Sequence, residues 1–212
     1  MTTKAESSQL GGHGVIGPNA VIQIAEALRG GGHMRDLDKL FDHADCREWL
    51  KAPPAHMIDE TRVAHLHHVV RMHYREPESS RLLDDAGTRT ADYIIAHRVP
   101  ALLRAILPLL PLGLAVRLLT QAILKHAWTF VGSGSVHAQI RESGKGWIVE
   151  LTITANPLAC HEHAGHAICA WHKGVFTRLY SKLVSSNTLA HELFCCAQGR
   201  SACDFQIEVG YR

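Results

Sequence analysis

Charge of one sign is scarce in this chain of 212 residues, whose 22 lysines and arginines against 20 acids leave a formal net charge of +2. No long Lys/Arg cluster appears either, so the basic footprint of a nucleic-acid binder is missing and that class of partner is excluded. Long apolar runs are also lacking. In the most apolar segment, residues 99–124, Arg104, Pro108, Pro111 and Arg117 interrupt the pattern, and the longest uncharged run, 105–116, is too short to span a bilayer. Residues 1–10 are polar, without the positive start and apolar centre of an export signal, so a cytoplasmic location is expected. There, the six cysteines favour thiols or metal ligation over disulfides. Internal repeats, low-complexity tracts and an attached DNA-binding or ATPase module are all absent, which leaves a sensor nothing in this chain to actuate.

One nucleotide-like pattern is present and carries little. Gly12-His13-Gly14-Val15-Ile16-Gly17 fits the letters of GxGxxG ahead of a helix over 19–29 with Pro18 at an early position. It follows a polar tail where a dinucleotide fold needs a buried strand, and no βαβ unit continues after it.

The chain is organised around residues 168–209. Ile168, Trp171, Val175, Phe176, Leu179 and Leu183 recur at threes and fours, the stripe of an amphipathic helix that starts near Cys169. Ser185, Ser186 and Asn187 break it; 188–196 reads as a strand, Gln198-Gly199-Arg200 as a turn, and Phe205, Ile207 and Val209 as a returning strand. A helix of about fifteen residues at roughly 1.5 Å each covers about 22 Å, which a strand at about 3.3 Å per residue recovers in roughly seven. Glu192 and Cys195 therefore return level with Cys169. A turn centred on Gly199 sets Cys195 opposite Cys203, with Cβ atoms roughly 4.5 to 5.5 Å apart. Glu192 and Cys195 are an odd number of residues apart and point to opposite faces of a flat strand, so joint ligation requires a bulge between them. Zinc suits three thiolates and a carboxylate, with Arg200 or backbone N–H groups offsetting the negative charge. A Cys195–Cys203 disulfide and simple burial of the cysteines remain the alternatives.

This stretch resembles the 4-vinyl reductase domain family, on Cys169, Glu192, Cys195 and Cys203 at the family's offsets and on Cys-Asp-Phe-Gln-Ile from Cys203 onward. The Ile16-Gly17-Pro18-Asn19-Ala20 run is similar to the bacteriochlorophyll branch, which extends the resemblance to residues 13–210. The resemblance implies an α+β ligand-binding fold, with zinc held structurally by those four residues as in the family's sensor branch. It implies a tetrapyrrole-binding accessory or carrier protein of bacteriochlorophyll biosynthesis, holding a Mg-porphyrin or chlorophyllide intermediate among the enzymes of that synthesis. Reduction of the ring vinyl group is the alternative, for which the sequence offers no credible dinucleotide or flavin motif. A small-aromatic sensor is a third reading, and a homodimer is compatible with all three.

The rest of the chain supplies the remaining expectations: a disordered tail over 1–12, a helical part over 13–132, and the sheet and metal-binding part over 133–212. N-terminal helices pack with a small antiparallel sheet and a C-terminal helix-strand-strand zinc-binding unit. Between 33 and 75 the pattern is helical, broken at Pro53 and Pro54, with Leu37, Leu40, Phe41, Val63, Leu66, Val69, Val70 and Met72 on the apolar face. A further helix runs to His97 with Leu82, Leu83, Ala86, Ala91, Ile94 and Ile95 inward. Residues 99–124 are expected as two buried helices, with a wall for a hydrophobic ligand or a membrane-facing surface as the functional alternatives. Sixteen histidines make binding sensitive to pH near 6 to 7. Among them His65 and His68, at i and i+3, and His126 with Trp128 are candidates for the tetrapyrrole pocket. Cys160-His161-Glu162-His163 with His166 is a competing metal cluster. After Gly132-Ser133-Gly134, Val136, Ala138 and Ile140 pair in a hairpin with Trp147, Val149, Leu151 and Ile153.

Overall fold

The computed structural model describes residues 14–211. The tail expected over 1–12, and Gly12 and His13 of the GxGxxG letters, lie outside the described residues. The chain runs β1 (Val15–Ile16), α1 (Asn19–Gly30), α2 (Met34–His43), α3 (Glu48–Lys51), β2 (Ile58–Asp59), α4 (Glu60–His73), α5 (Glu78–His97) and α6 (Ala101–Ile106). A 3₁₀ turn at Leu107–Leu109 leads to α7 (Leu112–Lys125), and a second at Ala127–Thr129 to β3 (Ser135–Ser143) and β4 (Gly146–Thr154). Then come α8 (Ala170–Leu183), β5 (Thr188–Phe194), a 3₁₀ turn at Cys196–Gln198 and β6 (Ala202–Gly210). The fold is α+β.

The four long strands form one antiparallel sheet in the order β3-β4-β6-β5. Alternation dictates its two faces: Val149, Leu151 and Ile153 of β4 are buried with Cys203, Phe205, Ile207 and Val209 of β6, while Gln206 and Glu208 look away. Helix α8 lies over the buried face, its Phe176 ring set edge-on 5.3 Å from Phe205. Helix α7 covers β3 and β4, α5 packs on α8, and α1 packs on α5.

Two glycines let α5 and α8 approach closely. A Cβ on Gly87 would stand 2.1 Å from the Trp171 carbonyl oxygen, and one on Gly174 would stand 2.3 Å from that of Asp84. Each helix lays its backbone into the gap left by the other's missing side chain. A third close approach ties the N-terminal strand to the sheet: the Glu60 carboxylate accepts from the Ser133 backbone N–H and hydroxyl, both at 2.6 Å, and occupies the space beside Gly14 and Gly132.

Several expectations are corrected. β1 and β2 form a small antiparallel ribbon that periodicity did not reveal, because two residues carry no period. Gly14 and Gly17 of the GxGxxG letters flank that ribbon, Gly17 donating to the Thr129 carbonyl at 2.8 Å. Met72 is 72% exposed, so the apolar face of α4 ends before it. The strand expected over 188–196 stops at Phe194, since the chain tightens there into a 3₁₀ turn closed by Gly199 in the left-handed conformation. Most consequential, 99–124 does not form two buried helices. α7 buries one face, with Ala115, Val116, Leu119 and Ile123 inward, whereas α6 has no buried residue at all. Apolar composition measures the tendency to leave water and does not ensure that a partner surface is within reach.

Candidate metal centre

Separate elements deliver the donors. Cys169 is the N-cap of α8, Glu192 lies near the end of β5, Cys195 opens the 3₁₀ turn and Cys203 is in β6. The required bulge is present: the β5–β6 register shifts between Glu192 and Phe194, turning Cys195 inward beside a residue from which parity would have separated it. One ligand atom from each of Cys169, Glu192, Cys195 and Cys203 lies within 4.8 Å of the others, so the group can hold a metal ion.

The sulfurs of Cys169, Cys195 and Cys203 form a triangle with sides of 3.5, 3.6 and 3.6 Å. A disulfide needs about 2.05 Å, so these are thiols, as are the other three cysteines. The Glu192 carboxyl is divided in function: Oε2 accepts from the Cys169 backbone N–H at 2.8 Å, and Oε1 is buried with no hydrogen-bond partner among the described residues. An unpartnered buried carboxylate oxygen beside three thiols is the signature of a missing cation.

Electrostatics agree. Burial pushes the Glu192 carboxyl up to about 8. Hydrogen bonding among the thiols, added to burial, raises Cys169 well above its ordinary value, while the same bonds lower Cys195 to about 6 and Cys203 further still. Without a cation the cluster keeps protons that a cation would displace. Two donors steady its charge, neither of them Arg200. The Asn156 Nδ2 donates to Cys169 and Cys203 sulfurs at 3.3 and 3.5 Å, and the Cys196 backbone N–H donates to Cys203 at 3.4 Å. Arg200 instead stacks its guanidinium 4.7 Å from the Phe194 ring. Asn156, fully buried, was missed in the sequence; the Asn156-Pro157 turn dipeptide was its signal.

The competing cluster is engaged elsewhere. Glu162 pairs with the Arg71 guanidinium and lies 3.1 Å from His68 Nδ1, and His166 faces Glu76 at 3.5 Å. His65 is exposed on α4, and His126 is exposed at the end of α7 with Nδ1 2.8 Å from the Ala122 carbonyl oxygen. Trp128 is half-exposed on the following turn. None of these four candidates lines either of two concavities of about 470 and 300 Å³, which lie at 163–165 with 197–199 and between α1 and α5.

Two other histidines are wholly buried, which sequence reading did not single out. Burial depresses His67 to about 3 and His172 to about 4, from 6.5. Each is neutral in the fold and takes a proton on unfolding below pH 6.5. Stability is therefore full above about pH 6.5 and lost as pH falls toward those depressed values. Together they should cost roughly 4 kcal/mol at pH 5 relative to pH 7. Urea midpoints in chelator should show about half that pH dependence in His172→Phe; equal dependence in both proteins would refute the assignment.

A model of the 4-vinyl reductase domain matches residues 149–209, which contain the whole donor set. The chain is 36% identical over 192 residues to the bacteriochlorophyll synthase 23 kDa chain of Cereibacter sphaeroides, covering 91% of this chain and 89% of that one. It is 33% identical over 192 residues to the protein of the same name from Rhodobacter capsulatus, covering 91% and 86%. Among solved structures, the phenol-responsive sensory domain of the transcription activator PoxR aligns at a TM-score of 0.45 and 15% identity, covering 71% of this chain and 74% of that one. A vinyl-4-reductase family protein from Methanocaldococcus jannaschii aligns at 0.34 and 11%, covering 71% and 92%.

Proposed function

Because the chain belongs to the family of the bacteriochlorophyll synthase 23 kDa chains and carries a 4-vinyl reductase domain, we propose that it is a tetrapyrrole-binding accessory or carrier protein of bacteriochlorophyll biosynthesis. It holds a Mg-porphyrin or chlorophyllide intermediate and passes it among the enzymes of that synthesis. The reading includes a cytoplasmic location with peripheral attachment to a membrane.

Zinc is the ion proposed for Cys169, Glu192, Cys195 and Cys203. At Zn–S distances of ~2.3 Å a tetrahedral ion spaces its sulfurs by ~3.8 Å, close to the 3.5 to 3.6 Å between the three thiols. Four protein donors complete the tetrahedron, so the ion supplies folding energy and fixed geometry, and zinc has no redox chemistry to contribute.

The observation that carries the pigment reading is the state of two accessible imidazoles. In His126 the Nδ1 is engaged by the Ala122 carbonyl, and in His68 by the Glu162 carboxylate. That partnering orients a ring so that Nε2 can ligate a metal. His126 has Trp128 two residues on, an apolar plate suited to lie against a macrocycle. His65 and His68 on α4 are the second candidate pair. Reduction needs a hydride donor bound nearby, and the GxGxxG letters do not provide its cradle: the space at Gly14 is taken by Glu60 and Ser133, and Gly17 is bonded to Thr129.

The test is anaerobic incubation of metal-replete protein with divinyl protochlorophyllide, with and without NADPH, followed by absorption spectra and pigment analysis. A shifted spectrum with unreduced pigment is expected, and His126→Ala should weaken binding roughly tenfold or more. NADPH-dependent ethyl product would make the protein a reductase and overturn the carrier reading; an unchanged spectrum would overturn both.

A further inference from the structure

We propose that α6, its following 3₁₀ turn and the outward face of α7 form a docking surface for an anionic lipid bilayer. The proposal rests on the peripheral location proposed above, but it needs no bound pigment.

The first observation is exposure. Leu102 and Leu109 are 69% and 81% exposed, and Leu103, Ile106, Leu114 and Leu118 are exposed as well. Leu114 and Leu118 stand at i and i+4 on the side of α7 opposite its buried residues, so they share one face. A surface so rich in aliphatic side chains is costly in water and marks an interaction site.

The second observation is charge. From residue 93 through residue 141 the sequence contains no Asp or Glu, although 20 acids occupy the rest of the chain. The same stretch carries Arg98, Arg104, Arg117, Lys125 and Arg141, so the remainder of a chain of net charge +2 is, in sum, acidic. Only Arg141 has a carboxylate partner, Glu150 at 3.2 Å, among the described residues. Aliphatic side chains with unpaired cations and no acid complement an interface of acyl chains under anionic headgroups. A protein partner would call for pairing of both signs and for aromatic anchors; neither is found on α6.

The third observation is geometry. Pro100, Pro108 and Pro111 hold the segment in short pieces, and no helix among the described residues is long and apolar enough to cross a membrane. The segment is therefore suited to lie in the headgroup region with its leucines inserted.

Co-sedimentation of the metal-replete protein with phosphatidylcholine vesicles, with and without about 30% phosphatidylglycerol, tests the proposal. Binding to the anionic vesicles is expected, and should fall sharply in high salt. Leu102→Glu/Leu109→Glu should weaken it at least about tenfold, and Arg98→Glu/Arg104→Glu by a similar factor. All four residues lie outside the core, so unchanged metal content and melting show that the variants fold. No binding to either vesicle would overturn the proposal, as would equal binding to both or equal binding by wild type and variants. So would self-association that Leu102→Glu/Leu109→Glu abolishes, without vesicle binding. The vesicles contain no pigment, so none of these outcomes bears on the carrier reading.

Discussion

Cys203→Ser is expected to lose its zinc and most of its thermal margin together. A serine hydroxyl does not ionise near neutral pH and cannot replace a thiolate ligand. The sulfur of Cys203 is the centre of the cluster, 3.5 Å from Cys169, 3.6 Å from Cys195 and receiving the Asn156 amide. An ion bound at about a thousandfold excess over its dissociation constant contributes ~4 kcal/mol to stability. For a chain of this size that corresponds to a fall of roughly 8–16 °C in Tm. Metal analysis and calorimetry on the same samples check the result. Cys196→Ser is the control, because Cys196 approaches Cys203 at 3.3 Å but lies outside the donor set; it should keep its metal. Full zinc retention in Cys203→Ser would refute the four-residue site.

Gly87→Ala should destabilise the protein by about 3 kcal/mol or more, although alanine gains up to ~1 kcal/mol over glycine in helix propensity. The added methyl would meet the Trp171 carbonyl at 2.1 Å, a backbone atom that moves only if α8 moves. Gly174→Ala meets the Asp84 carbonyl at 2.3 Å and should cost a similar amount. The double variant should lose less than the two losses added together, since one displacement relieves both clashes. Trp171 is two residues beyond Cys169, so the shift should also loosen metal binding. Chemical denaturation with a competing chelator would measure both effects; additive losses with unchanged affinity would rule out the shared displacement.

Much of the metal centre was legible because its constraints are parities and lengths. A stripe at threes and fours set α8, the turn at Gly199 set Cys195 near Cys203, and the odd offset from Glu192 demanded the bulge. Alternation likewise set the β3–β4 hairpin, which closes between Ser143 and Gly146. What escaped depends on who meets whom across the fold. Gly87 and Gly174 look like ordinary helix interruptions until the other helix is in place. Asn156 becomes a cluster donor only when its loop is folded over the sulfurs, and Arg200 finds an aromatic ring before it finds a carboxylate. The leucines of α6 show the limit most clearly, because their apolar character says they seek cover and cannot say whether the cover belongs to the same molecule.

The bulge in β5 has a second effect, on the fate of the sheet itself. β5 is an outer strand, and Leu189, Leu193 and Phe194 are exposed along it. A flat outer strand with that composition would invite another chain to add on and begin a growing assembly. The register shift and the 3₁₀ turn that follows interrupt its free row of amides and carbonyls after Glu192. The same kink that gathers the thiols therefore blunts the edge, and a variant that straightened β5 should aggregate as well as lose its ion.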